Sequence, residues 1–253
     1  MLKELATRLK QGHRTMVFPK GDPPPLPDRF RGLPEIDWSK CGAHCSACAT
    51  ACPVGALDPE GHSIDLGLCL FCTDCVQACP SGAITFSRDY RLAVRNRNAL
   101  VMEETQKELE RAEALDQKMR ELFGRSLKLR QVSAGGCNAC EADVNVLTTI
   151  GWDLGRFGIN YVASPRHADG IIVTGPVSKN MELALRKTYD AVPKPKIVIA
   201  VGACAIAGGP FRGHPEVVGG VDKLVPVDLY IPGCPPHPLT ILDGLLRLLG
   251  KIE

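Results

Sequence analysis

The sequence has few long apolar runs, little excess charge of either sign and few aromatic side chains. No uncharged stretch approaches the ~20 apolar residues of a membrane-spanning helix, which excludes a span. The formal net charge is only +2, so no nucleic-acid partner is expected. Aromatic residues make up 5% of the chain, too few for a large aromatic core. The first residues show neither a secretory apolar run nor a twin-arginine pair. This predicts a cytoplasmic protein that reaches a membrane only through partner proteins.

Cysteine, glycine and proline are, by contrast, abundant. The 253 residues include 12 Cys, 25 Gly and 20 Pro, a composition that favours tight loops. Disulfides are rare in a reducing compartment, so the cysteines are candidate metal ligands. Eight of them lie between Cys41 and Cys79, and the other four between Cys137 and Cys234. This distribution predicts two different kinds of metal site.

The composition divides the chain into four parts. Residues 1–36 combine a short basic amphipathic piece with a proline-rich stretch and are predicted to form an extended N-terminal arm. Residues 37–95 hold the clustered cysteines. Residues 96–125 carry a rough apolar stripe and are predicted to form a connecting helix that ends at Gly124, either a solvated spacer or an interface. Residues 126–253 alternate between apolar and helical stretches.

Two cysteine runs within residues 37–95 repeat one another. Cys69-x2-Cys72-x2-Cys75-x3-Cys79-Pro80 has the spacing of bacterial ferredoxins, and Cys41-x3-Cys45-x2-Cys48-x3-Cys52-Pro53 differs by one extra residue. In such runs three thiolates bind one iron–sulfur cubane, and the cysteine before proline binds the other. This rule predicts a ferredoxin-like α+β domain with two [4Fe-4S] clusters. The predicted ligands are Cys41, Cys45, Cys48 and Cys79 for the first cluster, and Cys69, Cys72, Cys75 and Cys52 for the second.

Other interpretations of these runs stay open. Zinc knuckles use paired cysteines, and buried thiols need no metal, but two runs of four cysteines exceed what tetrahedral zinc requires. The extra residue between Cys41 and Cys45 can alter the geometry or the potential of the first cluster. His44 lies in the same stretch, either as a ligand or as a loop residue beside the cluster.

The C-terminal part shows apolar runs alternating with helical stretches. Such a pattern is typical of an α/β domain, in which helices cover both faces of a parallel sheet. The predicted strands are 127–132, 170–174, 197–201 and 229–231, and the predicted helices are 141–150, 179–190 and 238–249.

The four remaining cysteines come after predicted strands. Cys137 and Cys140 follow the first strand, Cys204 follows the third, and Cys234 follows the fourth. Sites in an open parallel sheet form outside the carboxyl ends of its strands, so these thiols are expected to converge and hold a third [4Fe-4S] cluster. Flanking glycines let backbone N–H groups approach such a cluster.

Two residues are candidates for tuning the third cluster. Glu141 follows Cys140 directly and either tunes the cluster or relays a proton, unless it is an ordinary acidic residue at a helix start. His237 lies three residues after Cys234 and is either a neighbour of the cluster or an ordinary loop histidine. The loop after residues 197–201 lacks the GxGxxG order, so no dinucleotide site is predicted. No catalytic side chain is predicted in this chain.

Several of these segments resemble a known family. They are similar to the small subunit of membrane-bound, energy-converting (group 4) nickel–iron hydrogenases, and to the related cluster-N2 subunit of respiratory complex I. Complex I subunits usually carry two adjacent cysteines at the first ligand position, whereas Cys137 and Cys140 are separated here, which favours the hydrogenase branch. The region from Phe30 through both cysteine runs is similar to the iron–sulfur partner subunit of the same complexes, such as formate hydrogenlyase. The segments that carry the first resemblance are 136–141, 165–169, 171–176, 202–204 and 230–236.

The resemblance implies a flavodoxin-like C-terminal domain with a proximal cluster on Cys137, Cys140, Cys204 and Cys234. It also implies a large partner subunit that carries the nickel–iron centre. The expected function is electron transfer to that centre from a donor subunit or ferredoxin. Membrane subunits of the same complex would hold the chain at the cytoplasmic face of the membrane.

Two alternative functions stay open. In the first, the chain serves a hydrogenase-related or complex I-like oxidoreductase whose nickel-free large subunit reduces quinone or another acceptor. In the second, it is a non-catalytic scaffold whose clusters only stabilise the fold.

Overall fold

The helices and strands are short in the first half of the chain and mostly longer in the second. The computed structural model describes residues 2–252 except 13, 43–44, 105 and 107–108. The helices are α1 (Leu2–Gln11), α2 (Ala47–Ala51), α3 (Asp74–Ala78), α4 (Gln117–Phe123), α5 (Ala139–Val146), α6 (Lys179–Ala191), α7 (Ala203–Ala207) and α8 (Pro238–Leu248). The strands are β1 (Pro34–Ile36), β2 (Leu57–Asp58), β3 (Ser63–Asp65), β4 (Ile84–Phe86), β5 (Val101–Glu103), β6 (Leu127–Ser133), β7 (Ile159–Tyr161), β8 (Gly170–Thr174), β9 (Ile197–Val201) and β10 (Leu229–Ile231).

Strands β6 to β10 form a parallel sheet in the spatial order β10-β9-β8-β6-β7. Counted along the chain, this is the order 2-1-3-4-5 of flavodoxin-like folds. Every residue of β8, β9 and β10 is buried, as expected for a sheet covered on both faces. The predicted α/β class with a flavodoxin-like parallel sheet is therefore confirmed.

Most elements of this sheet domain agree with the sequence prediction. The predicted boundaries of β6, β8, β9 and β10 agree with the structure to within one residue. Strand β7 was missed because it is a three-residue edge strand paired only with β6, too short for a period to show. Helix α7 was also missed, because its five residues are small or apolar and four of them are buried, so it lacks a polar face.

Helix α8 lies within the core, and each of its residues is buried. Its two charged residues pair one turn apart, with the Arg247 Nε atom 2.8 Å from the Asp243 Oδ2 atom. In the same helix, Gly244 packs so closely that an added Cβ would lie 2.7 Å from the Ala93 Cβ atom. Ala93 belongs to the first half of the chain, so this helix helps to join the two halves.

The buried pair in α8 makes a testable contribution to stability. We expect Asp243→Leu to lower the free energy of unfolding by about 3–5 kcal/mol, because it leaves the Arg247 charge buried without its partner. The matched change Glu182→Leu, which removes a partly exposed i,i+4 partner of Arg186, should cost no more than about 1 kcal/mol. Chemical denaturation of both variants measures the difference. Equal costs would contradict a buried ion pair in α8.

The prediction of one connecting helix over residues 96–125 is wrong. Within the described part of 96–125, Gln117–Phe123 alone is α-helical, Arg97–Leu100 forms a short 3-10 helix and Val101–Glu103 forms a strand. The apolar stripe is buried by non-helical chain instead: the Ala112 N–H bonds to Ala93 O at 2.8 Å and the Leu115 N–H to Leu248 O at 2.9 Å. Apolar spacing that is typical of one face of a helix therefore belongs here to a non-helical segment that packs beside α8.

The first half has the α+β character that the cysteine repeat predicts. Strands β1 and β4 pair antiparallel, and β2, β3 and β5 form a second antiparallel sheet. The short helices α2 and α3 pack against each other and each follows part of one cysteine run. This arrangement places the two runs face to face.

The two halves share one packed interior. Residues Val94 and Tyr230 exchange both backbone hydrogen bonds, at 3.0 and 2.8 Å, and so join the ferredoxin-like half to the edge strand β10. The N-terminal arm contributes Phe18, which is buried. Its ring meets the Tyr90 ring edge-on, with the ring centroids 6.3 Å apart. Among residues 2–252, with the gaps given above, no helix has the length and apolar character needed to cross a bilayer.

Candidate iron–sulfur sites

The cysteine that precedes proline has the same local geometry in both ferredoxin-like runs. The Cys52 Sγ atom accepts the Ala56 N–H at 3.3 Å, and the Cys79 Sγ atom accepts the Ala83 N–H at 3.3 Å. The intervening glycines, Gly55 and Gly82, have φ of +61° and +62°, a conformation that costs glycine little. The repeat seen in the sequence is thus a repeat in three dimensions, with each thiol held by an N–H···S bond.

The first predicted quartet is assembled from both runs. Burial raises the pKa of the Cys41 thiol, and the charges of Cys79 and Cys45 raise it further. Burial also raises the pKa of Cys48, which feels the charges of Cys41 and Cys79. Cys79 therefore lies near Cys41 and Cys48, although it is 31 positions from Cys48 in the sequence. His44, a candidate ligand, lies outside the described residues.

The second predicted quartet is assembled in the same way. Burial raises the pKa of Cys69 to about 12, against the effect of the Phe71 N–H that its sulfur accepts, while the charges of Cys75, Cys52 and Cys72 add to the rise. Burial raises the pKa of Cys75 to about 11, with Cys72 and Cys52 contributing. Cys52 of the first run therefore faces the thiols of the second, as the ferredoxin exchange rule predicts.

The third quartet lies at the carboxyl edge of the parallel sheet. Cys137 lies in the loop after β6, Cys140 in the first turn of α5, Cys204 in α7 after β9, and Cys234 in the loop after β10. Burial raises the pKa of the Cys140 thiol, and the charges of Cys204, Cys234 and Cys137 add to this effect. Burial likewise raises the pKa of Cys204 to about 11, with Cys234 and Cys137 contributing. The structure thus brings together four thiols that are spread over 98 positions of the sequence.

Two glycines leave room for thiols of this third quartet. An added Cβ at Gly202 would lie 2.6 Å from the Cys140 Sγ atom, and one at Gly209 would lie 2.6 Å from the Cys204 Sγ atom. Both glycines have positive φ, +90° and +54°. Close backbone approach to sulfur is what a cluster needs from its surroundings.

The quartets also lie next to one another. The Cys75 thiol of the second quartet feels the charge of Cys48 of the first. The Cys234 thiol of the third feels the charge of Cys72 of the second, after the larger effects of burial and Cys137. Helices α2 and α3, which hold Cys48 and Cys75, pack against each other, and Leu70 and Phe71 line one cavity with Cys234, so the second quartet adjoins each of the other two. Sequence alone does not give this order, because it depends on how the two halves pack.

A contact from the N-terminal arm holds the junction between the second and third quartets. The Arg31 Nη1 atom donates a hydrogen bond of 2.6 Å to the carbonyl of Phe71, which lies between Cys69 and Cys72 in the second run. Beside it lies a cavity of about 300 Å³ that is lined by the arm, this loop and Cys234. Sequence reasoning missed Arg31, since nothing in the cysteine spacing indicates which side chain supports the loop.

The two candidate tuning residues have well-defined partners. Glu141 is buried and accepts hydrogen bonds from Ser133 Oγ at 2.5 Å and Thr174 Oγ1 at 2.8 Å. These hydroxyls, at the ends of β6 and β8, fix the carboxylate next to Cys140. Sequence reasoning missed both hydroxyls.

The His237 side chain caps a helix. Its Nδ1 atom accepts the Leu239 N–H at 3.1 Å and so caps α8. Burial lowers the pKa of His237, and its ring contacts Phe30 and Trp152 edge-on. Its neutral imidazole is therefore part of the packing around the third quartet.

The donor sets fit iron–sulfur cubanes. In the part of the chain that the structure describes, no three His, Cys, Asp or Glu side chains are arranged to share a single metal ion. A cubane does not need that arrangement, because each thiolate binds a different iron atom at its own corner. All-cysteine quartets with N–H···S bonds and glycine contacts are the surroundings that such clusters use.

The fold and these sites define a class of protein: an iron–sulfur protein with a flavodoxin-like domain joined to a ferredoxin-like one. Comparison with known families agrees. The profile of the NADH ubiquinone oxidoreductase 20 Kd subunit matches residues 137–248, and that of the 4Fe-4S binding domain matches residues 62–85. The chain belongs to the NADH ubiquinone oxidoreductase 20 Kd subunit family, and is an electron-transfer subunit of an oxidoreductase of the hydrogenase and complex I type.

Individual relatives place it more closely. The chain is 42% identical over 130 residues to a probable membrane-bound hydrogenase subunit of Pyrococcus furiosus, covering 51% of this chain and 78% of that protein. It is 45% identical over 129 residues to formate hydrogenlyase subunit 7 of Escherichia coli, covering 51% of each. Among solved structures, a chain of an archaeal membrane-bound sulfane sulfur reductase is 33% identical, with 54% of this chain and 76% of that one covered and a TM-score of 0.47. The resemblance to group 4 hydrogenase subunits and formate hydrogenlyase is confirmed.

Proposed function

We propose that this chain carries electrons through three [4Fe-4S] clusters to a nickel–iron centre on a large partner subunit of a hydrogenase-type complex. The observation that carries this proposal is the adjacency of the quartets. Helices α2 and α3, which carry Cys48 and Cys75, pack against each other, and Leu70 and Phe71 of the second run line one cavity together with Cys234. One polypeptide thus joins a two-cluster domain to a third site at the edge of the sheet.

The chain itself provides the ligands and their surroundings. Each bound [4Fe-4S] cluster would take up and release one electron at a time. The residues proposed to hold the clusters are Cys41, Cys45, Cys48 and Cys79; Cys69, Cys72, Cys75 and Cys52; and Cys137, Cys140, Cys204 and Cys234. The N–H groups of Ala56, Ala83 and Phe71 donate to ligand sulfurs, which stabilises a cluster in its reduced form.

The third site is proposed to face the large subunit. Cys137 and Cys234 are exposed, whereas Cys140 and Cys204 are partly buried, so one side of this quartet is open at the surface. A hydrogenase function is supported by the relatives, two of which are a probable membrane-bound hydrogenase subunit and a formate hydrogenlyase subunit. The partners proposed are the large subunit, a donor subunit or ferredoxin at the first cluster, and membrane subunits that hold the complex at the membrane.

Anaerobic purification of the complex tests the number of clusters. We expect about 12 iron and about 12 sulfide per chain, and three reducible clusters by EPR after titration with dithionite. Fewer than about two reducible cubanes, or zinc in place of iron, would refute the electron relay.

The metal content of the large subunit tests the hydrogenase assignment separately. We expect one nickel per complex and hydrogen-dependent reduction of the clusters. A nickel-free large subunit with all clusters present would keep the relay and overturn the hydrogenase function. The chain would then belong to an oxidoreductase that reduces quinone or another acceptor.

A further inference from the structure

Helix α1 exposes a row of leucines. Leu2 is 86% exposed, Leu5 63% and Leu9 80%, and no residue of α1 is buried. At about 100° per residue the three leucines fall within an arc of about 60° on one face of the helix. Such a face, left open on a ten-residue helix, is a surface for a partner.

The charges of α1 are arranged around this face. Lys3 and Lys10 lie along one edge of the leucine row, and Arg8 lies along the other. The far side is polar, and the one acidic residue of α1, Glu4, lies between that side and Arg8. Cations that border an apolar face can extend their charged ends outward while their methylene stems stay with the leucines. This is the pattern of a helix that lies in the interface of an anionic bilayer.

Two further exposed apolar side chains lie on or beside the chain that follows α1. Val17 is 69% exposed and Ile150 is 75% exposed. The chain after α1 is fixed beside Ile150 by two hydrogen bonds, from Thr15 Oγ1 to Ile150 O at 3.1 Å and from the Met16 N–H to Gly151 O at 3.0 Å. Together α1, Val17 and Ile150 contain five of the eight large apolar side chains that are exposed in the described residues.

We propose that α1, with Val17 and Ile150, lies on the surface of an anionic lipid bilayer and gives this chain a membrane contact of its own. A lipid surface is favoured because the three cations of α1 outnumber its single acidic residue, Glu4, and can meet anionic headgroups while the leucines enter the apolar layer. The inference does not rest on the electron relay. It revises the sequence prediction that membrane contact comes only through partners.

Vesicle binding of the purified full chain, with its clusters, tests the proposal. We expect the chain to sediment with vesicles of phosphatidylglycerol and phosphatidylcholine, and not with phosphatidylcholine alone. Lys3→Gln with Lys10→Gln should weaken the binding roughly 25-fold, at about fivefold for each cation near an anionic surface. Leu5→Glu with Leu9→Glu should reduce binding to the level seen with phosphatidylcholine, because carboxylates replace the apolar contact.

Matched controls separate this surface from general charge and hydrophobicity. Lys118→Gln with Lys187→Gln changes the net charge equally, and Leu122→Glu with Leu183→Glu alters two exposed leucines elsewhere. Apart from the weakening that their altered net charge causes through salt-dependent attraction, these control variants should bind the anionic vesicles less than threefold more weakly than the unaltered chain. All variants should keep their iron content, since the changed side chains are exposed. Equal binding to both lipids, or equal loss in the control variants, would overturn the proposal, as would binding by α1 to the large subunit alone.

Discussion

In a Cys140→Ser variant we expect the third cluster to be lost and electron transfer to the partner to stop. Cys140 is partly buried, and its Sγ atom lies 2.6 Å from the position of an added Cβ on Gly202, directly before the helix that carries Cys204. A serine oxygen is shorter-reaching and binds iron as a poorer ligand than thiolate. The eight ligands of the ferredoxin-like half are untouched. The iron content should therefore fall from about 12 to about 8 per chain.

Reduction kinetics give the sharper measurement for this variant. With electrons supplied at the ferredoxin-like half, its two clusters should be reduced normally while the large subunit shows only background turnover. The matched change Cys45→Ser, at the far end of the proposed relay, should cost a similar amount of iron. It should nevertheless leave transfer between the second and third clusters intact. Full turnover in Cys140→Ser, or loss of electron transfer between the second and third clusters in Cys45→Ser, would contradict the proposed order of clusters.

The cysteine quartets were the part of this molecule most open to prediction. Thiols of one run must lie within a few residues of each other to surround one cubane, and the Cys-Pro ends reveal the exchange between Cys52 and Cys79. The third quartet was predictable for a different reason. Parallel strands end at a common edge, so loops that are distant in sequence converge there.

The supporting contacts were not predictable in the same way. Arg31 binds the carbonyl of Phe71 across 40 residues, and no periodic pattern connects an exposed arm to a ligand loop. His237 is a helix cap rather than an isolated loop histidine. The segment before α4 has the apolar spacing of a helix, yet tertiary packing holds Leu109 and Leu115 in a non-helical chain. Such outcomes depend on which surfaces meet, and local sequence does not specify this.

The domain boundaries stay predictions for a related reason. The halves share the Val94–Tyr230 bridge and the contact between Ala93 and Gly244. A break in composition near residue 95 therefore falls inside a packed interface. This close joining is also what would keep the second and third quartets at a fixed separation, which a flexible linker could not do.

A glycine beside a ligand gives the last prediction. We expect Gly209→Ala to remove the third cluster, because its Cβ would lie 2.6 Å from the Cys204 Sγ atom. In a metal-free chain the sulfur could rotate away at little cost. A sulfur bound to iron cannot rotate in this way. The alanine side chain and the bound cluster therefore cannot both be accommodated. Iron analysis should show about 8 rather than about 12 atoms per chain.

Gly213→Ala is the control for this substitution. Gly213 lies four residues further along the same loop, also with positive φ, at +84°, but an added Cβ there meets nothing within 4 Å. Both variants carry the backbone strain of a left-handed alanine, about 1–2 kcal/mol, whereas only Gly209→Ala displaces a ligand. Equal cluster content in the two variants would show that Cys204 does not bind iron in the position that the structure gives it. Loss of the third cluster in Gly209→Ala alone would identify that sulfur as a ligand through its space requirement, without changing any cysteine.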